Sequence, residues 1–150
     1  MPWRVDIQIA KPYLVPGTRP WLRAIVRQAL AGRPEPPGAV GLVITGEEEV
    51  QELNRRFRGV DLPTDVLAFP FRDGVTFPPL PENPLGEVII SLPRAQAQAR
   101  EYGHPLRQEL ALLVVHGLLH LLGFRDNRSQ EEEKMRQEEA RLMACLKELY

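Results

Sequence analysis

The sequence predicts an α+β or α/β fold, a small mixed β-sheet of about four strands packed with about five helices, one of them central and buried. Three observations carry this. Strict alternation at Val5–Ile9 and β-branched apolar runs at Val40–Thr45 and Leu85–Ser91 have the period of strands. Between and after them, apolar residues recur at three- and four-residue spacing, as on helices that bury one face. One stretch, Glu109 to Asp126 (ELALLVVHGLLHLLGFRD), is apolar on every side from Leu110 to Leu122 except at two histidines. A helix running through a core has this composition.

Bulk properties narrow the class. A chain of 150 residues fits one domain, 1–150, large enough to bury a core without disulfides. The net charge of −1 carries no global nucleic-acid signature. Of the 19 basic residues, however, 16 are arginines, the side chain suited to phosphate and to base stacking. Cys145 is the sole cysteine, so no intrachain disulfide forms, as expected in a reducing cytosol. The N-terminal MPWRVDIQIA lacks the apolar centre of a signal peptide, and Leu110–Leu122 is too short to cross a bilayer. The expectation is a soluble cytoplasmic protein with no membrane partner.

In chain order, the strand at Val5–Ile9 leads to a Pro16-Gly17 turn, after which Thr18 is placed to cap a helix from about Arg19 to Leu30. Trp21, Leu22, Ile25, Val26 and Leu30 share its inner face, with Arg23 and Arg27 on the outer side. Gly32 to Gly38 is a proline-rich loop. After the strand Val40–Thr45, a helix from Glu47 to about Phe57 opens with three glutamates that suit the positive end of its dipole. Val50, Leu53 and Phe57 hold its core spacing. Asp65–Phe69 reads as a strand buried on both faces, Phe71–Pro84 as a long loop or interrupted hairpin, and Leu85–Ser91 as a further strand. A short helix from about Arg94 to Tyr102 closes at Gly103, and Pro105 opens the long apolar helix. Ser129 and Glu132 form a capping box for a last helix with Met135, Leu142, Leu146 and Leu149 on its apolar side.

The candidate chemistry sits at the end of the apolar helix. His116 and His120 are four residues apart, so both imidazoles lie on one face about one turn apart. Gly123 ends the helix in a left-handed conformation and the turn presents Asp126, a carboxylate able to fold back on the pair. This is the H-x-x-x-H, glycine turn, third-ligand layout of metzincin-type zinc sites. The competing reading, two core histidines bonded to backbone carbonyls, leaves polar groups to be satisfied that one shared cation satisfies together. Metalloproteases carry a glutamate after the first histidine; here that residue is Gly117, which disfavours a peptidase. Glu109, two turns before His116 on the same face, suits either a partner that orients an imidazole or helix-start electrostatics. His104 reads as a surface residue of the preceding loop.

His116-Gly117-Leu118-Leu119-His120-Leu121-Leu122-Gly123-Phe124-Arg125-Asp126 resembles the H-G-x-L-H-L-x-G-Y-D-H signature of the YbeY-type bacterial ribosomal-RNA maturation endoribonucleases. Leu53-Asn54-Arg55-Arg56-Phe57-Arg58, with Pro63-Thr64-Asp65-Val66-Leu67-Ala68-Phe69, resembles that family's second motif, L-N-x-x-Y/F-R…P-T-D-V-L-S-F. The segment Leu85–Ser91 is similar to its L-G-D/E-I-x-I-S strand. The resemblance covers roughly Val40 to Met143 and implies a small sheet packed on a helix that bears the histidines. It departs at one ligand: the family's third histidine aligns with Asp126.

What the resemblance implies is a zinc-dependent endoribonuclease acting on single-stranded ribosomal RNA, with the ribosome or its proteins as further partners and no DNA. His116, His120 and Asp126 would hold one zinc ion or another divalent metal, with His116 also counted in the catalytic set. Arg58 would offset phosphate charge, and Arg55 would contact RNA beside it. For Arg58 the competing reading is an ion pair with Asp61 or Asp65. Two other functions stay open: a metal-dependent hydrolase of another substrate such as peptide, and a ribosome-associated binding module with structural zinc.

Overall fold

Parallel strands need crossovers, and the helices between the apolar runs supply them. The computed structural model describes residues 3–71 and 84–150. Strand β1 (Arg4–Ile9) alternates exposed and buried residues, with Val5, Ile7 and Ile9 turned inward. Helix α1 (Thr18–Leu30) carries the chain to β2 (Ala39–Thr45), parallel to β1 from Arg4 opposite Ala39 to Ile9 opposite Ile44. Helix α2 (Glu47–Arg58) leads on to β3 (Val66–Pro70), and β4 (Pro84–Ser91) then inserts between β2 and β3. The order is β1-β2-β4-β3, with β4 parallel to β2 and antiparallel to β3. Helices α3 (Leu92–Tyr102), α4 (Leu106–Leu121) and α5 (Ser129–Cys145) complete an α+β fold around a mixed sheet.

Alternation along the strands divides the apolar residues between two faces. Leu42, Ile44, Val88 and Ile90 pack against α1, α4 and α5 in the main core, together with Leu22, Ile25, Leu118, Leu119 and Leu146. On the opposite face, Val50 of α2 covers Leu67 and Ile89 in a smaller cluster flanked by Val43, Leu53 and Phe69. Helix α4 lies so close to the sheet that a Cβ at Gly117 would come within 2.5 Å of Val88 Cγ1. The position that holds glutamate in metalloproteases is thus a buried contact with no room for a methyl group.

Strand β3 is buried on both faces, Leu67 under α2 and Ala68 in the main core, although it lies at the sheet edge and Val66 and Phe69 are only half covered. An apolar run does not distinguish an edge strand covered on both faces from a central one. Three expectations need correction. Phe57 turns outward, 56% exposed, and meets Phe69 edge to face at 5.6 Å between centroids. Thr18 does not cap α1; Gly17, with φ of 88°, occupies the N-cap and its carbonyl accepts from Trp21 N–H. Ser129 likewise forms no capping box, because α5 starts one residue early: Arg128 is the N-cap and its carbonyl accepts from Glu132 N–H. The loop expected over Phe71–Pro84 falls, for residues 72–83, outside the described part of the chain. Among the described residues, no helix is long and apolar enough to cross a membrane.

Candidate metal centre

Helix α4 ends in a Schellman motif, and that motif builds the site. Gly123 N–H bonds to the His120 carbonyl at 3.1 Å and Phe124 N–H to the Leu119 carbonyl at 3.0 Å. Both bonds require the residue between them to adopt positive φ, and Gly123 has φ of 101°. Phe124 packs back onto the core, which fixes the direction of the turn and returns Asp126 beside the last helical residues.

The two imidazoles meet on the half-open face of α4. Their rings stand at 73°, and His116 Nε2 lies 3.2 Å from His120 Nε2. Asp126 Oδ2 lies 3.9 Å from His120 Nε2, and the ligand atoms of all three residues fall within 4.8 Å of one another. The histidines are not sealed in the core, as the apolar run suggested: their side chains are 33% and 29% exposed, against 56% for Asp126. His116 and Asp126 line a cleft of about 330 Å³ together with the α5 residues Glu132, Met135, Arg136 and Glu139.

A residue that the sequence did not single out fixes this geometry. Glu139 Oε2 lies 3.0 Å from His116 Nδ1, which leaves Nε2 facing the cleft. The bond to Glu139 raises the His116 pKa against the lowering effect of burial, and the charges of Asp65 and Asp126 add to the rise. His120 goes the other way. Burial lowers its pKa, as do the charges of His116 and Arg58, while Asp126 and a backbone hydrogen bond with Phe124 oppose them. Two ring nitrogens facing each other at this distance call for a cation or a shared proton between them. Zinc–nitrogen bonds of about 2.0–2.1 Å at a tetrahedral angle separate two nitrogens by about 3.3 Å. The observed 3.2 Å therefore fits a single zinc-sized ion, with Asp126 within reach as a third donor.

The other candidate residues divide. Arg58 ends α2, where Gly59 with φ of 71° closes the helix and buried Asn54 holds the following loop by donating to the Leu62 carbonyl at 3.0 Å. Arg58 makes no ion pair with Asp61 or Asp65. Its Nη2 donates to the Ala68 carbonyl at 3.3 Å, and its charge reaches His120. Arg55 is exposed and pairs with Glu52 through contacts of 3.0 and 2.5 Å, one turn away from Arg58 along α2. Glu109 orients an imidazole, but the wrong one for the site: it is 1% exposed and its Oε1 lies 2.7 Å from His104 Nε2. A partnership with His116, one of the two readings its spacing left open, is not formed, because Glu109 bonds His104 and Gln98 instead. His104, expected at the surface, is bound inward by the same contact.

A mixed four-stranded sheet carrying at the end of its central helix a His–His–Asp cluster whose donor atoms could hold one metal ion defines a small α+β protein of the metalloenzyme type. The chain belongs to the endoribonuclease YbeY family: the family model described as Endoribonuclease YbeY matches residues 15–147. Among curated relatives so named, the protein of Roseiflexus sp. (strain RS-1) is 42% identical over 151 residues, covering 95% of this chain and 92% of that one. The protein of Gloeobacter violaceus is 47% identical over 117 residues, covering 75% of this chain but 60% of its own length. The solution structure of TM1509 from Thermotoga maritima superposes with a TM-score of 0.57 at 25% identity, over 95% of this chain and 88% of that one. The family match begins before Val40, where the motifs alone begin.

Proposed function

We propose that this chain is a metal-dependent endoribonuclease, one domain spanning 1–150, that hydrolyses phosphodiester bonds of single-stranded RNA in ribosomal RNA maturation. The observation that carries the reading is the opposed pair of Nε2 atoms, 3.2 Å apart at the mouth of a cleft and beside the charge of Arg58. His116, His120 and Asp126 would hold one zinc ion. When bound, zinc supplies Lewis acidity toward a phosphoryl oxygen and toward water. Glu139 keeps the Nε2 of His116 directed at the cleft by engaging Nδ1. Asp126 contributes an anionic donor where relatives of the motif type hold an imidazole. Arg58, free of any acidic partner among the described residues, offers a guanidinium to a phosphate entering the cleft. Arg55 would add a weaker RNA contact farther out.

Gly117 argues against a peptidase, since its closeness to Val88 excludes the glutamate that peptidases use. Three protein donors on a half-exposed face argue against a purely structural ion, because structural zinc sites close with four. Ribosomal RNA on or beside the ribosome is the expected substrate. The test is metal analysis of the purified protein followed by incubation with labelled single-stranded RNA and with casein, with and without chelator. RNA cleavage that chelator abolishes and zinc restores is the expected result. Cleavage of casein alone, or RNA cleavage indifferent to chelator, would reject the reading.

A further inference from the structure

Three large apolar side chains stand in solvent where α2 ends: Phe57 is 56% exposed, Val60 42% and Leu62 62%. A single exposed apolar residue is ordinary, but a cluster rimmed by charge marks a binding surface. The rim here is basic. Arg55, Arg56 and Arg58 share the last turn of the helix with Phe57, while the acid of the following loop, Asp61, accepts from the Gln51 side chain at 3.0 Å. The Phe57 ring is held as a fixed plane. Phe69 of β3 meets it edge to face at 5.6 Å between centroids, and the Arg56 guanidinium lies 5.6 Å from its centroid. A ring set in place beforehand loses little freedom when a partner covers its open surface.

Direct contacts join this ring to the histidine end of α4. Ser91 N–H donates to the Asp65 carbonyl and Val66 stands opposite Ile90, so the backbone groups of Ala68 point away from β4. Arg58 Nη2 donates to that outward carbonyl at 3.3 Å, which lays the guanidinium along the outer edge of β3. One residue farther on, β3 meets the last turn of α4. A Cβ on Gly86 would collide with both the Phe69 carbonyl and Leu121 Cδ2, and His120 precedes Leu121 in that turn. The Phe57 ring, the Arg58 guanidinium and the end of α4 therefore follow one another around the edge of β3. An acidic protein segment would answer the arginines but not the exposed ring. A strand of unpaired bases answers both.

We propose that Phe57 is a base-stacking platform for RNA: one unpaired base sets its face on the ring while the phosphate beside it passes Arg58 toward the histidine site. The inference rests on the ribonuclease reading above and assigns the choice of single strands to a residue. In a duplex each base is already stacked and paired, so the ring has no face to cover and only phosphate contacts remain. Every base has a π-face, so the contact tolerates any sequence.

The test compares full-length wild type with Phe57→Leu, Phe57→Tyr and Phe57→Trp. Leucine covers Phe69 with comparable bulk but offers no plane. Binding of a labelled single-stranded RNA, and of a duplex of the same sequence, is measured on the metal-free proteins, with thermal melts as the check on folding. Phe57→Leu is expected to melt like wild type and to bind the single strand about 5–100-fold more weakly, the scale of one lost stack, with duplex affinity unchanged. Phe57→Tyr should bind as wild type does. In Phe57→Trp the new indole should be quenched by the single strand beyond the change in wild type, whose Trp3 and Trp21 set the background. After zinc loading, the KM of Phe57→Leu should rise by the same factor while kcat holds. Single-strand affinity within twofold of wild type in Phe57→Leu, or equal losses on single strand and duplex, overturns the proposal and leaves the patch to packing or to a protein partner. Should Phe57→Leu fail to fold, absence of indole quenching in Phe57→Trp overturns it. Zinc-loaded wild type that cleaves no RNA, with this binding pattern intact, rejects the ribonuclease reading and supports the platform.

Discussion

Glu139 of α5 holds the Nδ1 of His116 at 3.0 Å, across 23 positions of sequence, so the last helix decides which way the first histidine of the site faces. Such a partner fixes the tautomer and raises the basicity of the donor nitrogen. Glu139→Ala should lower zinc affinity by about 10–100-fold. Competition with a chromophoric chelator measures it, and unchanged affinity would show that the contact does not serve the site.

The same contact sets a pH dependence. Metal binding needs neutral imidazoles, and the Glu139 bond raises the His116 pKa above its ordinary value of 6.5. Zinc affinity should therefore fall as pH drops through that raised pKa, and Glu139→Gln should move the fall to lower pH even as it weakens binding at neutrality. The sign for stability follows. In metal-free protein, the raised His116 pKa contributes stability that is fully present below about pH 6.5 and lost as pH rises through the folded value. His120, lowered by burial, works against this, since its protonation costs stability as pH falls below about 6.5. Thermal melts of metal-free wild type and Glu139→Gln across pH 5–8 should show the wild-type advantage shrinking toward the alkaline end.

Helix α4, its glycine turn and the histidine pair were legible in sequence because each has a local signature: an apolar run, a residue tolerant of positive φ, and a four-residue spacing. The partners that make the pair a site were not. Glu139 lies in a helix whose many charged residues all look solvated, and only the packing of α5 on α4 shows that one of them points inward. Asp65 entered only as one of two counter-ions in the competing reading of Arg58, because a loop aspartate near an arginine carries no mark of a longer-range bond to Gln98. The edge position of β3 was likewise hidden, since strand order depends on which segments cross over. Glu109 drew notice for its spacing from His116, yet its partner came from the loop before its own helix.

Gly117 carries a prediction about packing. Alanine favours a helix by about 1 kcal/mol over glycine, but the added Cβ would stand 2.5 Å from Val88 Cγ1 in a fully buried contact. Overpacking of this kind costs about 1–3 kcal/mol, so Gly117→Ala should be destabilising on balance. Pairing it with Val88→Ala should restore part of the loss, because the clash is removed at the cost of a small cavity. Denaturant melts of the two single variants and the double variant measure the coupling, and strict additivity would place the strain elsewhere.

Arg58→Ala should leave zinc content unchanged and lower RNA cleavage by about 10²–10³-fold, the scale expected for loss of a group that stabilises charge developing on a phosphate. Arg58→Lys should rescue only partly, because the planar two-pronged donor is lost. Parallel RNA-binding measurements separate the roles of the two arginines. Arg55→Ala should weaken binding modestly while leaving kcat as it is, since Arg55 is exposed and shared with Glu52. Wild-type cleavage by Arg58→Ala would remove Arg58 from the reaction.

Asp126 stands where the motif of its relatives carries histidine, and the geometry makes its contribution testable. Its Oδ2 is 3.9 Å from His120 Nε2, about half an ångström beyond the spacing of two donors on one zinc ion, and its side chain is 56% exposed. A small rotation of a solvent-facing carboxylate closes that gap without disturbing the core. An anionic donor lowers the net charge of the ion with its ligands, so water activated there should be less acidic than in a three-histidine site. Asp126→Asn should weaken zinc binding, because a neutral amide is a poor zinc ligand. Asp126→His should retain zinc and shift the pH–rate profile for RNA cleavage toward acid. The alternative is that Asp126 stays in solvent beside Arg125 and Arg128, with zinc held weakly by two imidazoles. In that case neither substitution changes zinc affinity, and the profile stays where the wild type has it.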